Sequence, residues 1–200
     1  MHPADVQRIA KETVRSLRRV LRAGLLLSDV RRLCEEELRS RGADSFWYYG
    51  IGAFVFAGEE TTVSVSGRDY ATSSRVIARD DIVTVDLSPQ VGDVWGDYAR
   101  TLIVEGGAVV PSVDEIKNEA WRRGLLTEAE LHRELMRLAT PEMTFEELYY
   151  CMNDAIRSKG YVNLDFLGNL GHSIAKKREE RIYIETRKPR QTARRAILHL

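Results

Sequence analysis

Residues 81–87, Asp81-Ile82-Val83-Thr84-Val85-Asp86-Leu87, alternate apolar and polar side chains, and beyond the turn formers Pro89, Gly92 and Gly96 a second strand pattern runs through Arg100-Thr101. The fold this dictates is an antiparallel hairpin with two unlike faces. Val83, Val85 and Leu87 share one face and need cover, whereas Thr84, Asp86 and Ser88 share the other. Asp97, where the chain returns, then stands against Asp86. A carboxylate within a strand is unfavourable, because Asp is a poor strand former and its charge is costly to desolvate without a partner. Two such groups repel, so one takes up a proton or both share a cation. The hairpin therefore predicts a divalent-metal site.

Helices are expected around this sheet. Val6, Ile9, Ala10, Val14, Leu17, Val20 and Leu21 recur at helical spacing and predict a helix over 5–22. Ser28 predicts the N-cap of a second helix that carries Val30, Leu33, Cys34 and Leu38 and stops at Gly42. Phe46 to Phe56 reads as a strand with a mobile approach loop, and Thr61 to Ser66 alternate as a further strand. A third helix is expected from about Val113 to Leu138. Thr144 with Glu147 makes a capping box for a fourth, which runs through Ser158 and closes at Gly160. Tyr161 to Ile174 is strand-like. Helix, helix, strands thus occurs twice, with one core cysteine, Cys34 or Cys151, in the second helix of each half.

Two hundred residues, 44% of them apolar, suffice for one sizeable core. Thirty basic residues balance thirty acidic ones, which gives no electrostatic case for nucleic acid or an anionic membrane. Basic residues do gather from Arg187 onward, where Lys188, Arg190, Arg194 and Arg195 follow without an acid. Two cysteines far apart fit reduced thiols rather than a disulfide framework. Met1-His2-Pro3-Ala4-Asp5 opens no signal peptide, and no apolar run approaches the ~20 residues of a membrane span, so the expected compartment is the cytoplasm.

His172 follows Leu170-Gly171, and with Asp86 and Asp97 it makes an O,O,N set suited to Mn, Co, Fe or Zn. Asp86, the ten residues between it and Asp97, the trailing Arg100-Thr101, and Gly171-His172-Ser173-Ile174 resemble the pita-bread metallopeptidases. That family comprises methionine aminopeptidase, aminopeptidase P, prolidase and the related creatinase. The resemblance covers roughly residues 8–175. It implies an α+β fold, a curved antiparallel sheet flanked by two helix pairs in pseudo-two-fold halves. It further implies one domain over residues 1–200, of which 186–200 are atypical or truncated. By the same resemblance Asp86 binds one ion, Asp97 bridges two and His172 ligates the second, with ions ~3.5–4 Å apart holding a hydroxide that attacks the scissile carbonyl. The implied activity is that of an aminopeptidase or dipeptidase acting on short peptides.

The family completes its site with two glutamates, one of them in a Glu-Pro motif, and this sequence contains no Glu-Pro. One ion or none is therefore expected in place of two. Asp69 and Glu179 stand where the family carries accessory histidines that donate hydrogen bonds to substrate, so both are candidate catalytic positions occupied here by acids. The alternative expectation is a catalytically impaired pseudo-enzyme that keeps the scaffold to bind peptide or protein. If the chain is complete at Leu200, the second half lacks strands to pair with the first, and the sheet is then expected to expose an edge covered by residues 186–200 or by a second copy in a homodimer. The run Phe46-Trp47-Tyr48-Tyr49 is expected in the core or lining a substrate cleft. The charges from Lys176 to Arg181 are expected to form a solvated edge.

Overall fold

The helical spacing of Val6, Ile9, Ala10, Val14 and Leu17 becomes helix α1 (Pro3–Val20), with all five side chains buried. These coordinates are a computed structural model that describes residues 2–175 and 178–186. The helix starts earlier than the pattern predicts because Pro3 presets the first turn and His2 caps it. The His2 ring accepts from the Ala4 N–H at 3.2 Å, and the Asp5 carboxylate accepts from the His2 N–H at 3.1 Å. Helix α2 (Leu27–Ser40) also begins early, so Ser28 lies inside its first turn and Leu26 holds the cap position. Backbone pairing decides this: Leu26 bridges Val76, and the Leu27 N–H donates to the Arg75 carbonyl at 3.0 Å.

Strands β1 (Ser45–Phe46), β2 (Ala53–Ala57), β3 (Asp81–Leu87), β4 (Pro89–Val91), β5 (Val94–Trp95), β6 (Tyr98–Glu105) and β7 (Ala108–Val109) form two antiparallel sheets. Their orders are β2-β3-β6-β7 and β1-β4-β5. The expected long hairpin is β3 with β6, in a register that sets Asp86 opposite Ala99 on one side and Phe54 on the other. Its expected simple turn is itself the β4–β5 hairpin, which pairs with β1. Val83, Val85 and Leu87 are fully buried beneath α1 and α2, while Thr84 and Asp86 face away. That half of the alternation rule holds. Ser88 lines the same cleft as Asp86, although it is buried and its hydroxyl donates to the Ile51 carbonyl.

Thr61 to Ser66 do not form the expected strand; Gly58–Thr62 is a 3-10 turn followed by coil. The Thr61 and Thr62 hydroxyls each donate to a carbonyl three residues back, Gly58 and Glu59, at 2.7 Å. Such local bonds compete with a strand ladder. The edge strand β2 is plugged rather than bare at its centre. The Tyr70 hydroxyl accepts from the Val55 N–H at 2.8 Å and donates to the Val55 carbonyl at 3.2 Å. The proposed covering by the tail falls on residues 187–200, which lie outside the described residues.

The second helix pair is α3 (Glu119–Leu138) and α4 (Phe145–Ser158), packed around Leu148, Met152 and Ile184. The expected third helix divides. Val113–Glu115 is a separate 3-10 turn, and Asn118 caps α3 by accepting from the Ala120 and Trp121 N–H groups. The Thr144–Glu147 capping box forms as expected. Thr144→Ala is expected to cost about 1 kcal/mol in urea unfolding, the usual value of a lost cap; an unchanged midpoint would contradict this. Cys34 is buried, which pushes its thiol up to about 12, but Cys151 is exposed and is not the core thiol expected.

Tyr161 to Ile174 does not form a strand either. Asp165 accepts from the Leu167 and Asn169 N–H groups at 2.9 and 3.0 Å, closing turns where a ladder was expected. Strand character survives only where residues 170–173 pair with 182–184, centred on the bridge between His172 and Tyr183. The described residues therefore hold one helix pair with its sheets and a second helix pair without a sheet of its own. Among them no helix is long and apolar enough to cross a membrane.

Candidate metal centre

Asp86 is the next-to-last residue of β3, and Asp97 lies just before β6. The Asp97 backbone is fixed by α1, since its N–H donates to the Gln7 side-chain oxygen at 3.2 Å and its carbonyl accepts from the Gln7 amide at 3.0 Å. Next to it, the Trp47 indole N–H donates to the Gly96 carbonyl at 2.7 Å. Both carboxylates are thus held by secondary structure rather than by a free loop. Burial, then the neighbouring Asp97 charge and a hydrogen bond between the two carboxyl groups, pushes Asp86 well above the ordinary carboxylate value of 3.8.

His172 is delivered by the 170–173 segment, which the Trp95 indole tethers by donating to the Ala175 carbonyl at 2.9 Å. Its Nε2 is 3.3 Å from Asp97 Oδ2, and its Nδ1 is 3.1 Å from the Ser173 carbonyl. A proton on Nδ1 bonded to Ser173 leaves Nε2 with a lone pair when the ring is neutral; a second proton would make it a donor to Asp97. The imidazole is boxed by Tyr183, Trp95 and Trp47, with ring centroids 5.3, 5.7 and 6.1 Å away. Asp97 therefore touches both Asp86 and His172. Among the described residues, however, no three histidine, cysteine, aspartate or glutamate side chains converge tightly enough to hold an ion together.

A cleft of about 440 Å³ contains all three groups, together with Trp47, Tyr48, Phe54, Arg181 and Tyr183. The aromatic run divides accordingly. Phe46 and Trp47 are buried, Trp47 and Tyr48 face the cleft, and Tyr49 is exposed. Asp69 is exposed on a turn closed by its N–H to the Ser66 carbonyl, and it does not line the cleft. Glu179 is also exposed and lines a neighbouring depression beside Phe46 and Tyr49. Sequence reasoning missed Arg181, which stacks 4.7 Å over the Trp47 ring and is not the solvated edge expected of its charge run. The signal was the alternation Arg181-Ile182-Tyr183-Ile184, which puts Arg181 and Tyr183 on one face.

Residues 4–197 match the model of metallopeptidase family M24. Among solved structures, the chain is similar to prolidase from Pyrococcus furiosus, with 22% identity and a TM-score of 0.72 over 90% of this chain and 48% of that one. It is similar to the X-Pro aminopeptidase from Thermotoga maritima MSB8, with 18% identity and a TM-score of 0.64 over 78% of this chain and 39% of that one. Zinc-substituted E. coli aminopeptidase P in complex with product matches with 18% identity and a TM-score of 0.63, over 77% of this chain and 31% of that one. The fold is the α+β pita-bread fold of these enzymes, and the chain spans less than half the length of each. No curated protein sequence matches it.

Proposed function

The chain belongs to metallopeptidase family M24, and on that premise we propose that it is a metal-dependent hydrolase of short peptides, Xaa-Pro bonds included, whose working groups are Asp86, Asp97 and His172. The observation that carries this reading is the contact of Asp97 with both Asp86 and His172 inside one cleft, where burial and the neighbouring Asp97 charge raise the Asp86 carboxyl. A divalent cation would relieve that repulsion, and the O,O,N donors suit Mn, Co, Fe or Zn. By chemical type these donors suit one ion with open positions, although among the described residues no three of them converge on one point. When bound, a divalent cation supplies Lewis acidity toward a peptide carbonyl and lowers the pKa of water.

The chain's own residues do the rest. As ligands, Asp86 would be held as the carboxylate and His172 would offer the lone pair of the Nε2 that faces Asp97 Oδ2. Trp47, Tyr48 and Phe54 wall the cleft with aromatic surface that excludes water from the reacting bond. The test is cleavage of a panel of dipeptides by protein loaded with Mn or Co. Hydrolysis that stops with chelator is the expected result, and either equal hydrolysis in chelator or none with metal would contradict the proposal.

A second reading, a peptide-binding module without catalysis, is favoured by the lack of three converging ligands and by the position of Asp69 and Glu179 outside the cleft. It predicts peptide binding that metal does not change. The proposed compartment is the cytoplasm, which the free state of both Cys34 and Cys151 supports.

A further inference from the structure

We propose that Arg181 reads a carboxylate, so that the cleft takes a short peptide presenting a free carboxylate beside an apolar side chain. This rests on the peptide reading above. The guanidinium lies 4.7 Å from the Trp47 ring centroid, 5.7 Å from that of Tyr183 and 5.8 Å from that of Trp95. It lines the same cleft as Asp86, Asp97 and His172. Its Nε and Nη1 are out of contact with solvent, and among the described residues neither has a hydrogen-bond partner, nor does Arg181 form an ion pair. Arg75 offers the contrast. Its Nε is also unpartnered, but its Nη2 lies 3.2 Å from both Asp81 carboxylate oxygens, so its charge is compensated within the fold.

A guanidinium cannot shed its proton, and a partly desolvated cation whose donors are unspent is stabilised by an anion placed beside it. The planar cation matches carboxylate or phosphate. Asp86, Asp97 and Asp165 line the same cleft. A doubly charged phosphate would be repelled there more strongly than a singly charged carboxylate. The rest of the ligand is indicated by the rim. Leu164, Phe166 and Leu167 line the cleft yet are 56%, 59% and 47% exposed, an apolar surface suited to a hydrophobic side chain.

Binding of leucyl-leucine, leucyl-leucine amide and leucyl-aspartic acid α-amide, followed by tryptophan fluorescence and calorimetry in chelator, tests this. Because no metal is present, failure of the metal reading leaves the outcome intact. The parent chain is expected to bind leucyl-leucine at least ~10-fold more tightly than its amide. Arg181→Met, which keeps the stem over Trp47, is expected to lose that preference, and Arg181→Lys to keep a reduced one. If the aspartyl amide binds like the free acid, a side-chain carboxylate satisfies Arg181. If it binds like the neutral amide, the terminal carboxylate is the one read; both results support the proposal. Equal affinity for acid and amide, no binding of any of the three, or an unchanged preference in folded Arg181→Met would overturn it. Should Arg181→Met fail to fold, the acid and amide pair on the parent chain decides.

Discussion

Asp97→Asn is expected to weaken binding of Mn or Co by about 100-fold or more while leaving the fold intact. Outer-shell partners of metal ligands alone are worth about 10–100-fold in affinity, and Asp97 contacts both Asp86 and His172. Asn keeps the size of the side chain and removes its charge. The local backbone does not depend on that charge, since the Gln7 amide holds the Asp97 N–H and carbonyl and the Trp47 indole holds Gly96. The variant also frees Asp86 from the repulsion that helps to raise its pKa, so the metal-free protein should be no less stable. Calorimetric titration checks the affinity and thermal unfolding checks the fold. Unchanged affinity would remove Asp97 from the site.

Asp86→Asn is expected to stabilise the metal-free protein at pH 7 by about 1–3 kcal/mol, the range that mutational data give for a poorly compensated buried polar group. For a protein of this size that is about 2–4 °C in Tm per kcal/mol. The sign follows from linkage. Asp86 holds its proton to a higher pH when folded than when unfolded, so the unfolded chain binds fewer protons above 3.8 and stability falls as pH rises from there through the raised value. The advantage of the Asn variant should therefore shrink as pH falls toward 3.8. Urea unfolding at pH 4 and pH 7 measures both ends. A variant less stable than the parent at pH 7 would show that Asp86 is not an electrostatic burden there.

Where one physical signal dominated, the sequence was readable. The period-two pattern of β3 placed Val83, Val85 and Leu87 in the core and Asp86 on the opposite face, and the Thr144–Glu147 box marked the start of α4. The family resemblance at Asp86, Asp97 and His172 led to three groups that one cleft contains. Where local polar bonds competed with a ladder, the pattern misled. The hydroxyls of Thr61 and Thr62 and the carboxylate of Asp165 close turns in stretches whose alternation suggested strands. Arg181 was hidden because a charge run gives no hint that one member is stacked on an indole, which only the 170–184 pairing brings about. Spacing alone also could not show that Asp69 and Glu179 are not among the residues lining the cleft.

A divalent cation is proposed to take the place of a proton on Asp86. Titrating Mn into the metal-free protein at mildly acidic pH, in two buffers of different ionisation enthalpy, counts the protons released on binding. The expected result is binding that releases about one proton more in the parent chain than in Asp86→Asn. Absence of binding, or binding that releases no proton and is the same in the parent, Asp86→Asn and Asp97→Asn, would contradict it.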